Sequence, residues 1–495
     1  MNPLFHEDLS LIDRLAIDRL VTDSRLVRRG DTFVAYPGHS HDGRRFIDQA
    51  LACGAQSVLW EPQSFRWSKK WTVKQLAVSQ LRYKIGAIAS HVYGRPSSRM
   101  WTVGVTGTNG KTTCSHWIAQ AFNRLCKRCA VVGTLGNGFL SALQAGPNTT
   151  PDAAWLQAQF CQWNRQGAQA ISMEVSSHGL DQGRVNGVEF DVALLTNLTR
   201  DHLDYHGTMN EYKKAKARLF QFEGLKWKIF NCDDVLGLAW AKRHVEENKK
   251  AAVVGYGFTP IGALLGLQGY VQGSDLTLTA EGFVFQVHST WGSARVRSHL
   301  MGRFNASNLL ATLSVLLVSQ VPFKQAIEIV SELTAVAGRA ERHGGGRQPL
   351  VLIDYAHTPD ALEKILSTAK ELTTTNKSAR LTCVFGCGGD RDRGKRRMMG
   401  KIASHLADQV IVTSDNPRHE DAQSIIAEIL SATQGASLGI EDREQAIYEA
   451  IHSAVEGDVV VVAGKGHETY QEITGVRHGY SDQAVVEKAL RGYLR

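Results

Sequence analysis

Cysteine is scarce in this 495-residue chain: there are eight, and they are scattered. That excludes a disulfide scaffold and suits a reducing compartment, so a cytoplasmic location is expected. Cys126-Lys-Arg-Cys129 is a lone C-x-x-C pair, too few ligands to close a tetrahedral zinc site. Long apolar runs are also missing. No stretch of about 18 apolar residues occurs, so neither a transmembrane helix nor a membrane partner is expected. The opening Met-Asn-Pro-Leu-Phe-His-Glu-Asp has no basic segment leading into an apolar one, so no signal peptide is expected. Internal repeats and low-complexity tracts are absent too.

What is there describes an ordinary globular protein. Hydrophobic residues make up 43% and charged residues 21%, while the length calls for about two to four domains. A net charge of +8 raises the question of nucleic acid. The basic residues are spread out, however, and short clusters such as Lys395-Arg-Arg397 have no interleaved aromatics. A basic enzyme that binds anionic nucleotides fits better, and no nucleic-acid partner is expected.

The most informative segment is Gly104-Val-Thr-Gly-Thr-Asn-Gly-Lys-Thr-Thr113, between a short apolar run and a helical pattern from Cys114 to Leu125. A glycine-rich turn from strand to helix aims backbone N–H groups and the helix dipole at one point. Lys111 supplies a point charge for the β/γ-phosphates, and the Thr112 hydroxyl can ligate Mg²⁺. Gly107 and Gly110 are separated by two residues, fewer than the usual spacing of this motif. A glycine-rich turn without a ligand is the alternative.

The chain divides into three stretches of α/β character. Residues 1–96 form a small N-terminal domain with strands Thr32–Tyr36 and Ser57–Trp60 and a helical Ile47–Cys53. Gly94-Arg-Pro-Ser-Ser98 marks its end. Residues 97–335 form a P-loop domain with a parallel sheet, carrying strands Ala130–Val132, Ala170–Met173 and Val192–Leu195. Leu276–Leu278, Phe283–Val287 and Ala294–Arg297 alternate and suggest an antiparallel patch, followed by a helical pair over 305–319 and 323–335. Residues 336–495 restart the alternation as a Rossmann-like domain. Its strands, Leu350–Ile353, Leu381–Phe385, Gln409–Thr413 and Asp458–Ala463, each end in a polar or glycine-rich cluster. Ligands of open α/β sheets sit at the carboxyl ends of strands, so these clusters predict a second binding surface.

Glu174 and His202 each follow a strand of the P-loop domain. A carboxylate and an imidazole near a P-loop suit Mg²⁺, which takes few protein ligands and completes its shell with phosphate and water. Glu211-Tyr-Lys-Lys-Ala-Lys216-Ala-Arg-Leu-Phe reads as a basic helix with a solvated face.

Taken together, these motifs resemble the Mur ligase family. The resemblance runs nearly end to end. It rests on Thr22-Asp-Ser-Arg25, Gly30–Ala35, Gly104–Thr113, Asn148-Thr-Thr150, Glu174–Leu180, Thr196–His206, Gly302–Asn308, Asp354–Asp360, Gly388–Arg391, Asp415-Asn-Pro-Arg418 and Gly464-Lys-Gly-His-Glu468. It implies three domains: one for UDP, one ATPase, and a third that closes over the site. It also implies site roles. Thr22, Ser24 and His39-Ser40-His41 would contact the uridine diphosphate. Asn148, Thr149, Thr150, Ser176, Gln182 and Arg184 would hold the muramoyl-dipeptide. Gly107, Thr108, Asn109, Gly110, Lys111, Thr112 and Thr113 would cradle ATP, with Asn305, Arg339 and Asp354 completing its site. Thr112, Glu174 and His202 would handle Mg²⁺. Lys216 matches the family's carbamylated lysine, whose carboxylate orients a magnesium ion, so Lys111, Lys216 and His202 would be the catalytic set. Ala340 stands where the family usually has Met or Leu, which would loosen packing at the hinge. Gly38-His-Ser-His41 departs from the family loop, which touches the individual uridine contacts.

The implied reaction joins UDP-N-acetylmuramoyl-L-alanyl-D-glutamate to an amino acid through an acyl phosphate. Asp415-Asn416-Pro417-Arg418 goes with meso-2,6-diaminopimelate in the family. Arg418 can grip a distal carboxylate bidentately, which lysine lacks. Arg391, Gly464 and Glu468 would surround the same amino acid, Glu468 accepting from its distal ammonium. Arg418 as the cap of a surface loop is the alternative. A monomer is expected. Folylpolyglutamate synthetase shares the P-loop, but the first-domain motifs and Asp415–Arg418 argue against it. A P-loop ATPase acting as a nucleic-acid motor is the reading from another class.

Overall fold

The computed structural model describes residues 6–493 except 40, 147, 248–249, 262–265, 280 and 374–377. The first sheet joins β1 (Leu20–Val21), β2 (Thr32–Ala35), β3 (Ser57–Trp60) and β4 (Lys74–Ala77) in sequential order, all parallel. Two-sided burial explains the unbroken apolar runs of β2 and β3.

The second sheet has ten strands: β5 (Trp101–Thr106), β6 (Cys129–Gly133), β7 (Gly136–Phe139), β8 (Ala170–Glu174), β9 (Val192–Leu195), β10 (Trp227–Asn231), β11 (Ala252–Gly257), β12 (Gly269–Thr279), β13 (Gly282–Ser289) and β14 (Gly292–Ser298). Their order is β14-β13-β12-β11-β10-β9-β5-β8-β6-β7. The expected antiparallel patch is not a separate layer. β12 pairs with β11 in parallel and then starts the β12–β13–β14 meander, so the patch extends the main sheet. Strands β7, β10 and β11 have no counterpart among the sequence-based expectations. Helices Lys111–Arg124 and Arg303–Val318 share one apolar cluster with β5, β9 and the meander, and Ala153–Arg165 packs in the cluster on the other face.

The third sheet contains β15 (Glu341–Gly344), β16 (Leu350–Asp354), β17 (Leu381–Phe385), β18 (Gln409–Val412), β19 (Ser437–Gly439) and β20 (Val459–Ala463), ordered β15-β16-β20-β17-β18-β19. Only β15 is antiparallel within it. The four strands expected from sequence, β16, β20, β17 and β18, are therefore consecutive neighbours, and their clusters share one edge. A two-stranded ribbon follows, β21 (Tyr470–Ile473) with β22 (Val476–Gly479). Ala340, expected to loosen packing at the hinge, is buried in this unit's core, and its N–H donates to Asp354 Oδ2 at 2.7 Å.

The units meet differently. The Leu81–Val92 helix of the first touches the second backbone to backbone: a methyl at Gly86 would lie 1.7 Å from the Asn186 carbonyl oxygen. Ile85, Ile88 and Ala89 share an apolar cluster with Ala153 and Ala154 there. The third unit reaches the second through polar side chains and one aromatic ring: Asn109 Nδ2 donates to Asp360 Oδ2 at 2.7 Å, Arg200 lies 3.3 Å from Asp392, and Phe304 packs on the third unit's apolar core.

Candidate functional site

The P-loop leaves β5 through Gly107, at φ +151°, and enters the helix through Gly110, at φ +83°. Both positions need glycine: an added Cβ would sit 1.8 Å from Thr196 Oγ1 at Gly107 and 2.6 Å from Asn308 Oδ1 at Gly110. Lys111 curls over the loop and donates to the carbonyls of Gly107 (2.9 Å) and Thr108 (2.7 Å). Lys216 donates to the same Gly107 carbonyl at 2.7 Å. The solvated-face expectation for its helix is therefore wrong at this residue. Met209–Ala217 exposes Glu211 and Lys214 but buries Tyr212, Ala215 and Lys216, the last to 1% exposure. Burial, reinforced by the neighbouring Lys111 charge, drives the Lys216 pKa well below the ordinary lysine value. Burial lowers that of Lys111 as well, against the opposing charges of Glu174 and Asp201.

Glu174 ends β8 and His202 follows β9. Those strands are not adjacent; β5 lies between them, so the two residues flank the P-loop. Glu174 is fully buried and accepts from Thr112 Oγ1 (2.9 Å) and from the Thr134 N–H (2.8 Å). His202 stands 3.3 Å from Asp201, and burial pushes its pKa down to about 3, so the ring is neutral at pH 7. Among the described residues no cluster of three His, Cys, Asp or Glu is built as a metal cage. The Thr112 hydroxyl beside the Glu174 carboxylate does make a corner of hard oxygen donors. That fits Mg²⁺, which keeps most of its shell for water and phosphate.

Side chains from the third unit cover this corner. Arg339 donates to Thr112 Oγ1 at 3.0 Å and stacks on Tyr355 at 4.4 Å. Its Nε is buried without a partner, a donor left for a ligand. Asp354 is buried nearby, its pKa raised by that burial against the charge of Arg339. Asn305 does not face the cleft. It is 2% exposed and donates to the Met301 carbonyl, while Asn308, one turn further, lines the cleft beside Gly110. Together these groups wall a cleft of about 1390 Å³ that runs from Phe258 and Leu276 past the P-loop to Arg418 and Glu468.

Asn148, Thr149, Ser176 and Arg184 line the middle of the cleft. Thr150 lies behind them, donating to the Glu174 carbonyl at 2.8 Å. Arg184 is bonded to Gln182 Oε1 (2.7 Å) and the Thr150 carbonyl (2.9 Å), and Gln182 donates to the Tyr205 hydroxyl (3.1 Å). The first unit's residues lie outside the cleft walls. Ser24 is buried with its hydroxyl on Gln49, His39 packs on the Tyr205 ring at 5.1 Å, and His41 is exposed. Thr22 bonds the half-buried Asp152. Ser40 lies outside the described residues.

At the far end, Asp415–Arg418 follows β18 and Gly464–Glu468 follows β20. Lys465, absent from the sequence-based site, is their hub. Its buried ammonium donates to Asn416 Oδ1 (3.0 Å) and Glu468 Oε2 (3.0 Å) and pairs with Asp415 (3.4 Å). Asn416 Nδ2 in turn donates to Glu468 Oε2 at 2.9 Å. Arg418 donates through Nη1 to the Gly389 carbonyl at 2.8 Å, so it is built into the site wall. Pro417 places its carbonyl against Gly389, and Gly464 turns beside Asp415 at φ +115°. Arg391 lines the same end. Asp201, His357 and Glu472 also line the cleft and were not singled out from sequence. Asp201 is held below the usual carboxylate range: burial opposes ionisation, but His357 and His202 prevail. Asp201 and His357 fall inside the motifs Thr196–His206 and Asp354–Asp360, whereas Glu472 lies outside every motif and carried no signal.

A sequence model for the Mur ligase middle domain matches residues 105–316, one for the "Mur ligase, glutamate ligase domain" matches 338–466, and one for the "Mur ligase family, catalytic domain" matches 16–93. A protein of Chromobacterium violaceum named UDP-N-acetylmuramoyl-L-alanyl-D-glutamate–2,6-diaminopimelate ligase is 49% identical over 97% of this chain and 95% of its own. One of the same name from Nitrosomonas europaea is 47% identical over 96% and 93%. A solved structure bearing that name is 38% identical, covers 96% of this chain and 95% of its own, and superposes with a TM-score of 0.68.

Proposed function

This chain belongs to the Mur ligase family, and from that footing we propose that it is an ATP-dependent amide ligase joining meso-2,6-diaminopimelate to UDP-N-acetylmuramoyl-L-alanyl-D-glutamate in peptidoglycan precursor synthesis. The observation that carries this reading is one cleft with a P-loop at its middle and both an arginine, Arg418, and a carboxylate, Glu468, lining its end. The enzyme acts in the cytoplasm as a monomer. No described helix is long and apolar enough to cross a membrane.

The free carboxylate of the UDP substrate attacks the γ-phosphorus of ATP. An acyl phosphate forms and ADP leaves. The amine of the incoming amino acid then attacks the acyl carbon, the amide C–N bond forms, and phosphate departs as the amine loses its proton. Lys111, the P-loop N–H groups of 107–113 and Arg339 offset the charge that develops on the phosphate oxygens. Asp354 orients Arg339 and the nucleotide. Thr112 and Glu174 would hold Mg²⁺, with neutral His202 beside it, and the ion when bound neutralises phosphate oxygens. Asn148, Thr149, Ser176, Gln182 and Arg184 hold the dipeptide. Thr22, Ser24, His39 and His41 serve the uridine diphosphate end. Closure of the third unit excludes water, which would otherwise hydrolyse the acyl phosphate.

ADP release measured with each additive tests the reading. Turnover should require both the UDP-dipeptide and meso-diaminopimelate and stay near background with nucleic acid. Hydrolysis stimulated by nucleic acid alone would overturn it in favour of a motor.

A further inference from the structure

The amino-acid end of the cleft holds one carboxylate more than the proposed substrate needs. A distal ammonium requires one acidic partner, and Glu468 supplies it. A distal carboxylate requires an arginine, and Arg418 supplies that. Glu472 is left over. It lies on β21, lines the cleft, and places Oε2 3.5 Å from Arg418 Nε, both side chains about one-fifth exposed.

The backbone fixes this approach. The Glu472 N–H donates to Asn416 Oδ1 at 2.9 Å, its carbonyl accepts from the Arg418 N–H at 3.0 Å, and the Thr474 N–H donates to the Arg418 carbonyl at 2.6 Å. The ribbon is thus stitched to the Asp415–Arg418 loop on both sides of Glu472. A second cation waits across the ribbon. Arg477 pairs in register with Glu472, lines the cleft and stacks on Tyr470 at 4.3 Å. Opposite charges directly across an antiparallel pair attract.

We propose that Glu472 is a specificity-determining residue: a resident carboxylate that occupies Arg418 until a substrate carboxylate displaces it toward Arg477. The proposal rests on the ligase reading above and deepens it. An amino acid with a distal carboxylate must compete with Glu472. One without it, such as L-lysine, meets an Arg418 already paired and escapes the cost of leaving that guanidinium bare. Glu472 therefore narrows the preference for meso-diaminopimelate over L-lysine.

Steady-state kinetics of wild type and Glu472→Gln with each amino acid test this. The ratio of kcat/KM for meso-diaminopimelate over L-lysine should rise roughly two- to five-fold in the variant, as expected for a partly exposed ion pair, mainly through a lower KM for meso-diaminopimelate. Arg477→Gln should move that KM the other way, because the displaced carboxylate loses its second partner. A ratio that stays level or falls in Glu472→Gln would mean that Glu472 merely braces Arg418, and would overturn the proposal while leaving the ligase reading intact. A wild type that ligates neither amino acid would remove both.

Discussion

A lysine buried against another lysine holds its proton poorly, and a neutral amine is a nucleophile. Lys216 has that environment, with its Nζ on the Gly107 carbonyl beside Lys111. Attack on CO₂ forms an N–C bond and releases one proton. A carbamate formed there would keep one N–H for the Gly107 carbonyl and would add a carboxylate beside the P-loop. Lys216→Ala should therefore be nearly inactive and partly rescued by acetate or formate, small carboxylates that fit the vacated space. Full activity without additives would refute the role. Sequence reading found Lys111, because strand, glycine turn and helix are local. It missed the burial of Lys216, because burial belongs to the whole fold. A signal was present nonetheless: Tyr212, Ala215, Leu219 and Phe220 recur at helical spacing, with Lys216 among them. Asn305 and Asn308 show the complementary error, one turn apart on a helix buried nearly all round.

Parallel strands read well from sequence because both faces are covered and their side chains form unbroken apolar runs; Val192–Leu195 and Leu381–Phe385 have the expected bounds. The β21–β22 ribbon did not read, since its strands are four residues each and mostly exposed. Its position depends on contacts with a loop some fifty residues away in sequence, at Asn416 and Arg418. Loop against loop is also where one methyl matters. A Cβ at Gly389 would sit 1.9 Å from the Pro417 carbonyl oxygen, so Gly389→Ala must push the Asp415–Arg418 loop outward. A displacement of about 1 Å costs roughly 100-fold in rate. We expect that loss in kcat/KM for meso-diaminopimelate, with ATP affinity by titration calorimetry preserved. Loss of ATP binding as well would show that the change reaches beyond this loop.

Across the whole molecule, a buried histidine, His116, and a half-buried one, His467, lie on the second and third units. His116 lies on the Lys111–Arg124 helix, and His467 lies beside the hinge at Gly338. Burial, then the charge of Arg339, pushes their pKa values down to about 4 and about 3 from the ordinary 6.5. Both rings are neutral in the folded protein, whereas the unfolded chain binds protons below pH 6.5. Stability is therefore full above that pH and falls as pH drops toward 4, at up to about 1.4 kcal/mol per pH unit for His116. Melting temperature should decline over this window, and His116→Asn should flatten the slope. Identical slopes would contradict the assignment.

The contact at Gly86 and Asn186 carries a mechanical consequence. Two backbones that leave no room for a methyl group cannot slide or rock past each other. Sliding of the first unit on the second would first have to part these backbones, so movement of the N-terminal sheet is tied to movement of the P-loop sheet. The junction with the third unit differs, because its polar contacts at Asn109–Asp360 and Arg200–Asp392 can be exchanged for water, and relative motion is expected to concentrate there.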